Sequence, residues 1–130
     1  DIAYHTGDIE LKNIETSSVV SLKINKSGDI KLDGIIAKTV NAYAAEGKFE
    51  GDISAGEIFV EAGKDIKLAC ADDLEKYNYD LESPLGKISL LGIQYNLHHK
   101  TYNPNLQNKI DLCAFDGDVT ITASEKISAE

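Results

Sequence analysis

The sequence contains no methionine, no arginine and only two cysteines. It also lacks any apolar run near the roughly 20 residues that span a bilayer and any signal-peptide pattern of basic start, apolar middle and small-residue cleavage site. A chain that starts at Asp1 without Met is expected to be a processed protein or a single domain (residues 1–130) excised from a longer chain. Membrane contact is then expected only through segments outside it. All 13 basic residues are lysine, against 22 acidic ones, for a net charge of −9. Arginine is the usual residue for bidentate phosphate and base recognition, so its absence and the acidity argue against nucleic acid and anionic membranes as partners.

Several chemistries lack their residues. There is no Gly-x-Ser-x-Gly elbow, no Walker-type phosphate loop, and no cysteine with an evident histidine partner. Cys70 and Cys113 sit in apolar contexts, which reads as two buried free thiols, with one disulfide as the alternative in an exported protein. Helical periodicity is weak everywhere. Only Asp72-Asp73-Leu74-Glu75-Lys76 suggests a turn or two, with Asp72 as N-cap.

What the sequence has is a repeat. Ser27-Gly28-Asp29-Ile30-Lys31-Leu32 is echoed by Gly7-Asp8-Ile9-Glu10-Leu11, Gly86-Lys87-Ile88-Ser89-Leu90 and Gly117-Asp118-Val119-Thr120-Ile121. Gly47-Lys48-Phe49 and Lys64-Asp65-Ile66-Lys67-Leu68 are looser copies. A glycine, a polar residue and then alternating apolar residues describe a turn feeding a short strand with one buried face. Each is paired with a second alternating segment. Val20, Leu22 and Ile24 are matched 20 residues later by Val40, Ala42 and Ala44, and further on by Ile58-Val60, Tyr79-Leu81 and Ile110-Leu112-Ala114. The anchors Ile9, Ile30, Phe49, Ile66, Ile88 and Val119 are spaced by 21, 19, 17, 22 and 31 residues.

Matching positions about 20 residues apart predict coils stacked in chain order, like on like. The fold class expected is all-β: a single-stranded parallel β-helix or solenoid, right-handed, of about five to six coils. An antiparallel β-sandwich is the structural alternative. The long final interval predicts a loop insert over residues 94–108, rich in Asn, His and Tyr, which leaves the stack.

That insert supplies the candidate interaction residues Tyr95, His98, His99 and Tyr102. Tyrosine buries much area at low entropic cost, and Tyr77 and Tyr79 lie near these four in sequence. Adjacent histidines in a strand point to opposite faces, and no acidic residue stands at ligand spacing from His98-His99, with His5 far away. No metal site is expected. The Gly-Asp pairs read as turn chemistry, with aspartate bonding locally, rather than as calcium repeats, which are denser in oxygen ligands. Asp72, Asp73, Asp111, Asp116 and Asp118 could supply a carboxylate pair, but nothing in the sequence brings two together. No catalytic residue, no cofactor and no enzymatic activity are expected.

The motif Ser27-Gly28-Asp29-Ile30-Lys31-Leu32-Asp33-Gly34 and the segment Tyr79 to Leu90 resemble the DUF4097 family, labelled adhesins and grouped with toast-rack-like bacterial envelope domains. The resemblance covers nearly the whole chain except Gln94 to Asn108. It implies a parallel β-solenoid at the cell surface or envelope, extracytoplasmic, acting as a non-enzymatic binding or scaffold module. A protein or a glycan is the implied partner, and self-association through end coils is a further expectation. The alternative is a carbohydrate-binding or carbohydrate-active β-helix domain.

Overall fold

Period-2 patterning gives strands along almost the whole chain. The computed structural model describes residues 2–4, 6–70 and 74–123. Its strands are β1 (Ile2–Tyr4), β2 (Ile9–Glu15), β3 (Val19–Ile24), β4 (Ile30–Ala44), β5 (Phe49–Ala62), β6 (Ile66–Cys70), β7 (Tyr77–Leu90), β8 (Ile93–Lys100), β9 (Asn108–Ala114) and β10 (Val119–Ala123). One 3-10 turn, Leu74–Lys76, precedes β7. It lies where the helix signal was read, and the proposed cap Asp72 falls outside the described residues.

The pairings form two stacks of parallel strands, and the long strands β4, β5 and β7 contribute to both. In one stack, Ile9, Ile30, Phe49, Ile66, Val119 and Ile88 follow one another in register. None of the six is more than 3% exposed. In the other, Leu22, Ala42, Val60, Leu112 and Leu81 do the same. Both rows belong to one hydrophobic core. Fully burying each large aliphatic side chain contributes roughly 1.5–3 kcal/mol, so these rows dominate stability. An extra residue in β4 shifts the register between Asp33 and Ile35, where Gly34 takes a positive φ of 72°.

The Gly-Asp turns stack as well. A Cβ on Gly47 would stand 1.8 Å from the Gly28 carbonyl oxygen, and one on Gly28 would stand 2.1 Å from that of Gly7. Only glycine permits that approach. The aspartates do not bond only within their own turns. Asp8 Oδ1 accepts from the Asp29 N–H, and Asp29 Oδ1 accepts from the Lys48 N–H, each at 2.8 Å. Asp65 and Asp118 continue the pattern toward Asp118 N–H and Lys87 N–H. These carboxylates tie one layer to the next.

Chain order and stack order part company after β6. The expected sequence of layers placed Ile88 after Ile66 and Val119 last. Instead β10 pairs with β6 on one side and β7 on the other, so Val119 lies between Ile66 and Ile88. Likewise β9 sits between β5 and β7. The chain skips a layer, builds β7, turns back through β8, and fills the gap with β9 and β10. As a result β5, β6, β10, β7 and β9 close into a ring of five strands.

The expected loop at 94–108 is also corrected. β8 covers Ile93–Lys100 and pairs antiparallel with β7, while residues 101–107 form the loop. Its hairpin turn uses Leu91 and Gly92, both with positive φ (51° and 84°), the backbone sign that a type I′ turn demands. Cys70 is buried, but Cys113 is only half-buried, and neither is in a disulfide. Alternation along β9 turns Leu112 and Ala114 inward and leaves Lys109, Asp111 and Cys113 toward solvent.

Candidate functional site

The two sides of β8 carry different chemistry because its residues alternate. Tyr95 and His99 are partly buried and stack with ring centroids 3.7 Å apart at 20°. They line a hollow of about 440 Å³ together with Tyr102, Tyr79, Leu74 and Leu106. The loop closing this hollow is pinned. Asn78 Oδ1 accepts from the Asn103 N–H at 2.6 Å, and its amide donates to the carbonyls of Asn103 and Leu106, each at 3.2 Å. Thr101 and Tyr79 exchange bonds as well: Tyr79 N–H donates to Thr101 Oγ1, and Thr101 N–H to the Tyr79 carbonyl. A hollow held this way needs little ordering when something enters it.

Of the four residues expected to act together, three meet here: Tyr95, His99 and Tyr102. His98 does not. Its Nε2 lies 2.8 Å from Asp80 Oδ1 on β7. Tyr77 lies near these residues in sequence. It is buried, and its hydroxyl donates to the Ala55 carbonyl. Tyr79 is core, as its alternation implies, and its hydroxyl donates to the Leu74 carbonyl.

Along β8, large apolar side chains stand exposed among the polar residues Gln94, Asn96, His98 and Lys100. Leu91, Ile93 and Leu97 are more than half exposed, and Tyr102 is 77% exposed. They stand out on a chain with 27% charged residues.

On the other side, pairing places Glu61, Cys113, Glu82 and His98 in one row across β5, β9, β7 and β8, and Phe59, Asp111, Asp80 and Lys100 in the next. Burial raises the pKa of Asp111, and the carboxylates of Asp80, Glu61 and Glu82 raise it further, against the pull of Lys109 3.9 Å away. Burial raises the Cys113 thiol too, with Glu82, Glu61, Asp111 and Asp80 adding to the effect. Like charges facing one another across strands disfavour ionisation. The thiol is thus held protonated, which makes it a poor nucleophile.

The model of the Toastrack DUF4097 family matches residues 1–122. The chain belongs to this family. Toastrack membership accounts for the repeat and for the all-β, largely parallel architecture. Comparison with curated proteins and with solved structures found no match. Among the described residues of this Toastrack chain, no helix is long and apolar enough to cross a membrane.

Two functional features escaped the sequence. Asp80 stands 18 residues before His98, and Glu82 stands 16 before it. Only a hairpin register brings them together, so no local spacing signalled it. The pinned loop rests on Asn78, a lone polar residue that belongs to no motif in the sequence. Of the carboxylates considered for acid–base work, Asp118 is engaged by the Lys87 N–H, and Asp72 and Asp73 lie outside the described residues.

Proposed function

We propose that this Toastrack domain is a non-enzymatic binding module of a bacterial cell surface or envelope, of the adhesin type. In this reading it is a right-handed parallel β-solenoid of five to six coils whose β8 end meets a protein partner. One observation carries the reading. The large exposed apolar side chains Leu91, Ile93, Leu97 and Tyr102 follow one another along β8 and its two flanking turns, on an otherwise charged body. Interfaces of this kind draw their affinity from a few aromatic and aliphatic anchors. A rigid stack suits display, since no hinge separates the contact surface from the rest of the domain.

The test is binding of the purified domain, immobilised on a sensor surface, to solubilised bacterial envelope protein. Wild type is compared with a Leu97→Lys/Tyr102→Ala variant that melts at the same temperature. A loss of about ten-fold or more in the variant supports the reading, in line with removal of anchors worth over 1 kcal/mol each. Equal binding by both proteins sinks it.

The carbohydrate reading has an observation of its own. Tyr95, His99 and Tyr102 offer ring faces beside the amide of Asn103 in the 440 Å³ hollow, and sugar rings combine an apolar face with hydroxyls that suit such a lining. A glycan array probed with wild type and Tyr95→Ala separates the two readings. Signal lost in Tyr95→Ala but kept in Leu97→Lys favours a glycan.

A further inference from the structure

The outer side of the β7–β8 hairpin holds a donor set that the binding reading does not use. Glu82 lies directly opposite His98 in the ladder, and Asp80 lies two residues away on the same face of β7. One ligand atom from each of Asp80, Glu82 and His98 falls within 4.8 Å of the others. We propose that Asp80, Glu82 and His98 form a binding site for a divalent transition-metal ion of the zinc class.

Three features support it. The donors are one imidazole and two carboxylates, and imidazole suits zinc and its neighbours, while calcium and magnesium prefer all-oxygen shells. The pairs Asp80–Lys100, Leu81–His99 and Glu82–His98 are consecutive and unshifted, the register breaking only beyond Ser83 and Leu97, so side-chain rotation suffices to close the set. Ligand atoms about 2.1 Å from a tetrahedral zinc stand roughly 3.4 Å apart. The pair His98 Nε2 and Asp80 Oδ1, now at 2.8 Å, would open slightly, and Glu82 would swing in. Asp80 is half-buried, while Glu82 and His98 are exposed, so both movements occur at the surface. Finally, the surroundings are electronegative. Asp111 and Glu61 lie on the same outer face, against Lys100 opposite Asp80 and Lys109 near Asp111. A dication there relieves carboxylate repulsion that the lysines only partly offset. Three protein ligands leave a fourth position for water, the pattern of an open zinc site.

His99 provides an internal control. It is adjacent in sequence but on the opposite side of β8, stacked on Tyr95. The simpler reading of the cluster is a surface His98–Asp80 ion pair with no affinity for metal.

The experiment is isothermal titration of the intact domain with zinc chloride, with calcium chloride run in parallel, and with histidine side-chain NMR signals followed at the same steps. The expected result is one equivalent of zinc bound, with the His98 imidazole signals shifting and those of His99 unmoved. His98→Ala and Glu82→Gln are expected to weaken binding at least about ten-fold, the scale on which even outer-shell partners of a metal act. His99→Ala and Cys113→Ser are expected to bind like wild type. All variants are first required to melt as wild type does. The proposal is overturned by no zinc heat, by calcium binding as tightly as zinc, by binding that survives His98→Ala, or by binding lost in His99→Ala or Cys113→Ser.

Discussion

Up to β6, each strand stacks on the strand one turn of chain earlier, as in Ile9, Ile30, Phe49 and Ile66. Beyond β6 the same kind of strand takes its place out of order, with Val119 between Ile66 and Ile88. The two regions use the same turns, the same alternation and the same aspartate links. What differs is only the route of the connection. A repeat therefore specifies what can stack on what, because any apolar column fits any other, while the connecting segments decide which does. In the second region the connection is a hairpin and a pinned loop, and both candidate sites lie there.

Removing a core side chain separates the inserted layer from an end layer. Leu112 is fully buried with strands on both sides, whereas Leu11 on β2 is only partly buried, with β4 on one side. Leu112→Ala is expected to cost about 3–4 kcal/mol and Leu11→Ala about 1 kcal/mol by urea denaturation. Equal losses would mean that β9 is not interior.

Glycines distinguish the stacked turns of both regions from the hairpin turn of the second. Gly47→Ala forces a methyl into the Gly28 carbonyl and is expected to cost about 2–3 kcal/mol. Gly92→Ala has open space around it and meets only the strain of its positive φ, about 1 kcal/mol. Thermal melting of the pair checks the order.

The hairpin can be improved. Leu91 holds a left-handed backbone with its side chain half exposed. Leu91→Asn creates the Asn-Gly pair that a type I′ turn favours and is expected to stabilise by about 0.5–1 kcal/mol, read as a raised melting temperature.

The smallest effect is electrostatic. The folded state binds the Asp111 proton more tightly than the unfolded chain does, since its pKa is raised. Stability from this group is therefore present in acid and falls as pH rises from the ordinary carboxylate range through the raised value. Asp111→Asn is expected to stabilise at neutral pH by about 0.5 kcal/mol, allowing for solvent screening at this partly exposed carboxylate. That gain is expected to vanish below the ordinary carboxylate range. Denaturation at the two pH values checks the sign.

Much of the fold was legible. The pairing of Val20, Leu22 and Ile24 with residues 20 positions on is the pairing in the ladder. Its readability follows from period 2 and from glycines at the turns. Layer order was not legible, because Val119 matches Ile66 and Ile88 equally well as an apolar neighbour. β8 was hidden because its Asn, His and Tyr content reads as loop and because Leu-Gly is not a recognised hairpin turn. Three of the four suggested contact residues do meet, since Tyr95 and His99 alternate onto one side with Tyr102 beyond the strand end. His98 alternates onto the other side of β8, and its acidic neighbours Asp80 and Glu82 could be found only through the antiparallel register.

The most direct measurement is of methyl–methyl NOEs in a deuterated, Ile/Leu/Val methyl-labelled sample. Val119 is predicted to show contacts to both Ile66 and Ile88, with none between Ile66 and Ile88, which stand two strand spacings or roughly 9.6 Å apart. A direct Ile66–Ile88 contact, with Val119 touching Ile88 alone, would restore chain order to the stack and contradict this account.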